Sequence, residues 1–379
     1  GLHHINVLHV LEIEGTNRNM NSLVTITAAT GNRHFKIDNP NAKLTLRYIK
    51  LSNGNVASSS SEPDSLGGSI LITTNGGELN LYSSIIYNNS AYRGGGIYAN
   101  GSPSATKNAI INIYRGSVIS NNTATKNGGG MYLHECKLRM ENNTISNNVA
   151  GEYGGGLYIN EGDIRLSNSP ISYNNGKHGG GLFVSRSRTL TMDYSSIFNN
   201  EATGFGGGIY IEHTYKSFLL KNLIIGNKAK SYGGGVFVRG TKTVGIRTVL
   251  NITRCMIQNN QIISSDTSST KSGGGVCVDK FTTTTIRETS FINNVANTNK
   301  GNHISTDGNS NGGIPTVGLV NTYFNNPNDN NMFYTLDTAA TWRTCSTTEM
   351  CSESPFTGTC QQTSPSNVQF GVTCRYQCS

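Results

Sequence analysis

The segment "NNEATGFGGGIYI" (residues 199–211) contains the phrase that repeats along this chain. It consists of two asparagines, a short spacer, three glycines and an aliphatic–aromatic–aliphatic triplet. Related glycine corners begin at Gly67, Gly94, Gly128, Gly154, Gly179, Gly206, Gly233, Gly273 and Gly301. Successive corners are therefore 27, 34, 26, 25, 27, 27, 40 and 28 residues apart. A period near 27 residues is typical of a repeat architecture.

The pattern inside each repeat indicates strands. Alternating segments such as "KLTLRYIKL" (43–51) and "GGGLYIN" (154–160) have the two-residue period of a β-strand. Leucine-rich repeats have a similar length, but their LxxLxL core is absent, and helical repeats tolerate few glycines. Two or three short strands per repeat, separated by glycine and asparagine corners, predict an all-β parallel β-helix with coils of roughly 25–28 residues.

Corner chemistry explains why this phrase recurs. In a β-helix equivalent residues of successive coils stack about 4.8 Å apart. Glycine adopts positive φ and allows close backbone approach, and asparagine tolerates the left-handed conformation. Stacked asparagine side chains can also hydrogen-bond amide to amide along the axis. About 11 coils would give a rod on the order of 50 Å long.

The pairing of "FINNVA" with "NNVAGEYGGGLYI" and "NNEATGFGGGIYI" resembles the repeat of chlamydial polymorphic membrane proteins. The resemblance covers roughly residues 60–326. It implies a right-handed parallel β-helix and a surface protein, since members of this family are commonly surface proteins, adhesins among them. The bacterial proteins carry a C-terminal membrane barrel, whereas a Cys-rich segment stands at that place here.

The ends differ from the repeats and define three expected regions. Residues 1–31 precede the first alternating segment and are predicted to cap a terminal coil, because an uncovered coil is an open sheet edge. Residues 32–335 form the β-helix, and residues 336–379 form a tail or second cap. Five of the eight cysteines of the chain lie in this tail and predict disulfides in an oxidising compartment: Cys345, Cys351, Cys360, Cys374 and Cys378.

Composition limits the classes of partner. Hydrophobic residues make up 35% and charged residues 14%, against 45 Gly and 48 Asn, and the net charge is +8. Scattered basic residues indicate a solvated basic surface or a face that prefers acidic polysaccharide or an anionic cell surface. Nucleic acid is not expected as a partner, because no basic cluster with interleaved aromatic residues occurs. No apolar run reaches the roughly 20 residues of a membrane helix.

Two further patterns are candidate functional features. One aromatic residue follows the glycines in six consecutive repeats, and if the flanking aliphatic residues fill the interior these rings form an outward stripe that stacks sugars or packs on a neighbour. The alternatives are a stripe that the chain's own loops cover, or an inward stack. The stripe consists of Tyr98, Tyr132, Tyr158, Phe183, Tyr210 and Phe237.

Positions that could carry glycans are the second pattern. Mobile Ser/Thr-rich insertions, such as "QIISSDTSSTKS" (261–272), are candidate O-glycan acceptors or binding loops. The five N-glycosylation sequons begin at Asn88, Asn100, Asn121, Asn142 and Asn251.

No residue set predicts a catalytic, cofactor or metal site. The β-helix fold also hosts pectin-degrading enzymes, but the aspartates that follow lie singly in different repeats: Asp163, Asp193, Asp266 and Asp279. "HGGG" (178–181) and "GNSNG" (308–312) resemble hydrolase motifs without their structural context. The loop from Asp307 begins like a calcium loop but has Gly318 at its twelfth position.

The sequence therefore favours a non-catalytic extracellular structural or adhesive surface glycoprotein, and a filament subunit is one form of it. Its expected partners are other protein chains, by self-assembly, or cell-surface glycans. The alternative is a protein that binds or cleaves polysaccharide, as pectate lyases do.

Overall fold

The computed structural model describes residues 4–57, 64–102, 109–241, 247–264, 272–296, 301–307 and 315–324, together with four short strands beyond residue 332. Within these residues the chain forms strands and turns and no helix. Four parallel sheets run along one axis, and consecutive coils add one strand to each. The predicted all-β parallel β-helix is therefore confirmed. Nothing in the described residues forms a helix that would span a lipid bilayer.

Sheets 1 and 2 contain 12 strands each. The strands of sheet 1 are Ile5–Val7, Phe35–Ile37, Ile70–Ile72, Ile97–Asn100, Met131–His134, Leu157–Asn160, Leu182–Ser185, Ile209–Glu212, Val236–Arg239, Val276–Asp279, Ile304–Asp307 and Phe333–Thr335. The strands of sheet 2 are Val10–Glu14, Lys43–Arg47, Gly77–Tyr82, Ala109–Tyr114, Cys136–Glu141, Asp163–Ser167, Thr189–Asp193, Lys216–Leu220, Thr248–Thr253, Thr282–Arg287, Thr316–Val320 and Thr341–Thr344.

Sheets 3 and 4 contain 11 and eight strands. The strands of sheet 3 are Val24–Thr27, Ile49–Ser52, Ile85–Tyr87, Val118–Ser120, Thr144–Ser146, Ile171–Ser172, Ser196–Phe198, Leu223–Ile225, Met256–Gln258, Ser290–Ile292 and Tyr323–Phe324. The strands of sheet 4 are Ser90–Ala91, Thr123–Ala124, Val149–Ala150, Asn175–Gly176, Glu201–Ala202, Lys228–Ala229, Gln261–Ile262 and Val295–Ala296. Phe356–Thr357 and Gln377–Cys378 form a separate antiparallel pair.

Alternation along each strand builds the core. Ile209 and Ile211 are fully buried in the interior of the coil, whereas Tyr210 between them points outward. The same register holds from coil to coil, so that Ile209 stacks on Leu182 and Val236. One continuous aliphatic column therefore fills the inside of the solenoid, and its burial supplies the main favourable free energy of folding.

Each of the three glycines of the opening phrase excludes a side chain for a different steric reason. Gly206 has a φ of 65°, which a side chain would strain. A Cβ on Gly207 would lie 2.3 Å from the carbonyl oxygen of Lys228 in the next coil. A Cβ on Gly208 would lie 2.7 Å from the Gly235 oxygen and 3.0 Å from the Asn227 side chain. The corner is therefore a point of close backbone approach between successive coils.

The two asparagines of the phrase also have different roles. Asn199 is exposed and has a φ of 53°, and it makes the left-handed bend between sheets 3 and 4. Asn200 is fully buried, and its side-chain amide donates to Oδ1 of Asn227 in the next coil at 3.0 Å. The same link joins eight coils through Asn89, Asn122, Asn148, Asn174, Asn200, Asn227, Asn260 and Asn294.

This asparagine ladder satisfies its polar atoms within the interior. The second amide hydrogen of Asn200 reaches the carbonyl oxygen of Ile171 at 2.9 Å. Its Oδ1 accepts both the backbone N–H and the side-chain amide of Asn174, at 3.0 and 2.9 Å. Because every donor and acceptor is paired, the burial of the side chain carries little desolvation cost. The amide-to-amide stacking expected from the sequence is thus present.

A histidine replaces the third glycine in the last coil of the ladder. His303 is 2% exposed, and Asn294, the last residue of the ladder, donates to its Nδ1 at 3.2 Å. His34 occupies the same corner position two coils before Asn89, the first residue of the ladder. Its Nε2 lies 3.0 and 3.1 Å from the carbonyl oxygens of Ile26 and Ser52. Carbonyl oxygens only accept, so Nε2 carries a hydrogen. Burial lowers the pKa of His34, because it disfavours the charged imidazolium.

The structure describes most of the predicted N-terminal region and little of the predicted C-terminal region. Residues 1–31, the predicted cap, contain Ile5–Val7, Val10–Glu14 and Val24–Thr27, which pair with the coil that follows. The outer edge of these strands is the end of the described solenoid. Most of the predicted tail, 336–379, lies outside the described residues, as do the side chains of all its cysteines.

Replacing Asn200 by alanine is expected to destabilise the protein by about 3 kcal/mol or more. The change leaves the Ile171 carbonyl and the Asn174 amide buried without partners, and each lost partner costs about 1–3 kcal/mol. Urea unfolding followed by circular dichroism measures the effect. The matched control is Asn199→Gly, which keeps the positive φ and is expected to change stability by less than about 0.5 kcal/mol. Equal losses in the two variants would contradict a special role of the ladder.

Candidate functional site

The outer face of sheet 2 presents charged side chains above an apolar interior. In Cys136–Glu141 the burial alternates, so Leu138 and Met140 face the core while Lys137, Arg139 and Glu141 face solvent. The next coils repeat this in Asp163–Ser167 and Thr189–Asp193. The outward residues of three coils therefore form one continuous surface on the side of the rod.

This surface is a shallow groove of about 730 Å³. Its polar and aromatic lining comes from Tyr114, Lys137, Arg139, Glu141, Asp163, Arg165, Ser167, Thr189 and Thr191. The volume is in the range of small-ligand sites in proteins. We call this feature the sheet 2 groove.

Two arginines of adjacent coils lie side by side in the sheet 2 groove. Arg139 pairs in register with Arg165, and both side chains are exposed. Like charges placed directly opposite on neighbouring strands destabilise a sheet. Within the described part of the chain none of the ion pairs involves Arg139, Arg165 or Lys137. Lys137 lies opposite Asp163 in the same register, whereas the two arginines lie opposite each other. The groove thus holds two guanidinium groups that are available to an anionic ligand.

The two carboxylates of the groove do not neutralise these cations by direct contact. Asp163 Oδ1 accepts a hydrogen bond from the Thr189 hydroxyl at 3.0 Å. Glu141 lies at the far end of its strand from Lys137. The groove is therefore of mixed charge with a cationic centre. Sequence reasoning missed it, although the 26-residue spacing of Arg139 and Arg165 matches the repeat and both sit at outward positions of alternating strands.

The predicted aromatic stripe forms a ladder of stacked rings outside the aliphatic core. Consecutive ring centroids are 4.7–5.3 Å apart along Tyr98, Tyr132, Tyr158, Phe183, Tyr210 and Phe237. Phe183, Tyr210 and Phe237 are 3%, 4% and 1% exposed, Tyr98 is also buried, and Tyr132 and Tyr158 are half-buried. The ring faces contact one another and are not available as a platform for sugars.

A second aromatic row covers this ladder. Residues that precede the glycines stack against each other, with His178 lying 5.4 Å from Tyr153 and 4.8 Å from Phe205 between ring centroids. Tyr153 and Phe205 also contact rings of the ladder, at 4.8 Å to Phe183 and 5.2 Å to Phe237. Of the alternatives considered from the sequence, the geometry is that of a stripe covered by the chain itself.

The sequons occupy two kinds of position. Asn88, Asn121 and Asn142 are exposed and have φ between 55° and 57°, so their side chains lie at left-handed bends on the surface. Asn100 and Asn251 are half-buried at strand positions of sheets 1 and 2. The three exposed asparagines have the access that a glycan requires.

The aspartates considered for catalysis remain apart. Asp163 and Asp193 lie at opposite ends of adjacent strands, since Asp163 pairs with Thr189 and Ser167 with Asp193. The Asp279 side chain is 5% exposed and forms an ion pair with Arg239. Asp266 and the loop after Asp307, which includes Ser310, lie outside the described residues. Among the described residues no three His, Cys, Asp or Glu side chains converge as metal ligands would.

Burial determines the chemistry of the cysteines in the solenoid. Cys255 stands at a corner where other coils place Ser, Asn or Thr, and its Sγ accepts the Asn222 N–H at 3.3 Å. Desolvation raises the pKa of Cys255 to about 11 and that of Cys136 to about 12. The reactive thiolate is therefore scarce at neutral pH.

His178 is neutral for two structural reasons. The Phe205 N–H donates to its Nδ1 at 3.2 Å, and the ring lies between two aromatic rings. Desolvation, with Lys177 and Arg239 nearby, lowers the pKa of His178 to about 4. "HGGG" therefore marks a structural corner here.

Residues 68–249 match the family model described as the right handed beta helix region. The match covers slightly less than half of the chain and agrees with the solenoid of parallel sheets. No curated protein and no solved structure matches the chain. The chain is thus a β-helix repeat protein, and its predicted right-handed fold class is confirmed. This fold is shared by surface adhesins and by polysaccharide-active enzymes.

Acidification from about pH 6.5 to about pH 4 is expected to destabilise the folded protein through His178. The pKa is lower in the folded chain, so the unfolded chain binds more protons in this window and stability falls as the pH falls. The contribution is at most about 3 kcal/mol, and less because part of the ring faces solvent. Thermal melts of wild type and His178→Phe measure it. The melting temperature of the variant should depend less on pH, because His178 is the only titrating group that it lacks. Identical slopes of melting temperature against pH in the two proteins would contradict the assignment.

Cys136 and Cys255 are expected to resist alkylation in the folded protein. Both thiols are buried and protonated at neutral pH, as their raised pKa values require. Iodoacetamide treatment with and without urea, followed by peptide mapping, reports each site separately. If Cys136 or Cys255 is modified as fast without urea as with urea, the native structure opens at that residue.

Proposed function

We propose that this protein is a non-catalytic structural or adhesive component of an extracellular surface, built as a stiff rod. The observation that carries the proposal is the unbroken ladder of buried asparagines through eight coils. A scaffold in which each coil is hydrogen-bonded to the next holds its lateral surface in one fixed arrangement over its length. Reach and rigidity of this kind are what a surface adhesin or structural fibre requires.

The surface chemistry supports the same proposal. Asn88, Asn121 and Asn142 lie exposed at bends and suit N-glycans, which are found on secreted proteins. Five cysteines near residues 345–378 suit disulfides formed in an oxidising compartment. The repeat phrase resembles that of chlamydial polymorphic membrane proteins, which are commonly surface proteins. The proposed partners are glycans of a cell surface or further copies of this chain.

Polysaccharide cleavage is the competing function, because the same fold also occurs in polysaccharide-active enzymes. It would need a set of side chains that converge on a bound sugar. Asp279 is engaged with Arg239, and Asp163 and Asp193 occupy opposite ends of their strands. The arrangement of these described carboxylates favours a binding or structural role.

Beads coated with the full chain are expected to attach to cell layers or to one another more than albumin-coated beads do. The physical reason is that a coated bead presents many copies of the chain, so weak contacts add by multivalency. Electron microscopy of the same protein should show rods or filaments.

Cleavage of a uronic-acid polymer by the protein would contradict the proposal. The full chain is incubated with uronic-acid polymers, with and without calcium, and new chain ends are assayed. No new ends are expected. Release of new ends that disappears in Asp163→Asn would establish an enzyme instead, and beads that attach to nothing would remove the adhesive role.

A further inference from the structure

We propose that the sheet 2 groove binds a segment of acidic polysaccharide lengthwise, with Arg139 and Arg165 holding its carboxylate or sulfate groups. This inference deepens the proposed adhesive role, since it names the class of ligand and the residues that recognise it. It rests on the geometry of one face of the rod.

The two arginines of the groove are placed so that they repel each other. They are in register on adjacent coils, about 4.8 Å apart along the axis, and both are exposed. Two stacked guanidinium groups repel each other, and an anion between them removes that repulsion and gains charge-assisted hydrogen bonds. Within the described residues no ion pair supplies that anion to Arg139 or Arg165. An external ligand is therefore the group that completes this pair.

Groups suited to sugar binding surround the two arginines. Tyr114 lines one end of the groove, and the half-buried ring can pack on the face of a sugar. Hydroxyl groups of Ser167, Thr189 and Thr191 lie on the other coils of the groove and can bond sugar hydroxyls. Phe218, which is 41% exposed, continues the row of Arg139, Arg165 and Thr191 on the next coil.

The site is long and narrow. The row of the two arginines runs from Asn112 through Arg139, Arg165 and Thr191 to Phe218 and crosses five consecutive coils of sheet 2. Tyr114 lies beside this row, two residues along the strand from Asn112. Four steps of about 4.8 Å give a track of roughly 19 Å. A narrow track with two cations, an aromatic group at one end and Tyr114 beside the other end fits an extended chain of sugars better than a compact small molecule. The carboxylates of Glu141 and Asp163 also line the groove, and they would repel a polyanion that binds through its charge alone.

The test measures binding of the full chain to four probes by calorimetry. Heparin oligosaccharide carries sulfates, oligogalacturonate carries carboxylates alone, dextran is neutral, and oligothymidylate is a polyanion of another class. We expect binding to one or both acidic glycans, and the comparison of heparin with oligogalacturonate identifies the anionic group. Affinity should fall as salt is added, because the cations are exposed.

Arg139→Gln with Arg165→Gln is the decisive variant. Loss of both guanidinium groups is expected to weaken glycan binding by about tenfold or more, while the melting temperature is kept or rises because the repulsion is removed. The matched control is Lys228→Gln with Lys230→Gln, which removes the same charge from exposed positions near sheet 4. This control should bind like the wild type.

Three results would overturn the inference. They are an absence of binding to both acidic glycans, an equal loss of affinity in the two double variants, and binding of oligothymidylate as tight as that of the glycans. The bead assay distinguishes a failure of the groove from a failure of the adhesive role. Beads that still attach when the arginine variant is used would leave the adhesive role intact and reject only the groove as its site.

Discussion

The hydrogen bond between the buried asparagine amides of adjacent coils is the interaction on which the rest of this structure depends. It requires that the coils approach closely, and the glycines of each corner permit that approach. Gly208, for example, leaves room for the Asn227 side chain. It also requires a neutral, water-free corner, which the aliphatic column beside it provides. The ladder is directional, since the side-chain amide of each asparagine donates to the coil that follows. Backbone pairing, side-chain bonding and core packing therefore repeat with the same register.

Much of this fold could be predicted from the sequence because its determinants are local and periodic. The spacing of the glycines indicated the coil, and the alternation of Ile209, Tyr210 and Ile211 indicated which side faces the core. The role of each asparagine could not be predicted, since Asn199 and Asn200 are identical in type and differ in backbone conformation and burial. The histidine at the last coil of the ladder was also missed. His303 interrupts the glycine pattern, and its ring accepts the last amide hydrogen of the ladder.

The candidate site was harder to predict than the fold, for a physical reason. A ligand site on a solenoid is assembled from residues one coil apart, so its members are never close in sequence. Arg139 and Arg165 become neighbours only through strand register. The aromatic stripe drew attention because its spacing was regular, yet a covering row that includes Tyr153 and Phe205 packs over it. In this molecule a residue type that recurs over many coils identifies a structural ladder, whereas the candidate surface depends on two arginines of only two coils.

The ladder also has an evolutionary consequence. Asn174 bonds to Asn200, and Asn200 bonds to Asn227, through the same atoms and at nearly the same distances. A gene that loses or duplicates one coil of about this length would join like to like, and no neighbouring residue would have to change to accept the new junction. Length is therefore a property that selection can alter in whole steps without disturbing the interior. The faces of the rod are free to diverge coil by coil while its cross-section stays constant.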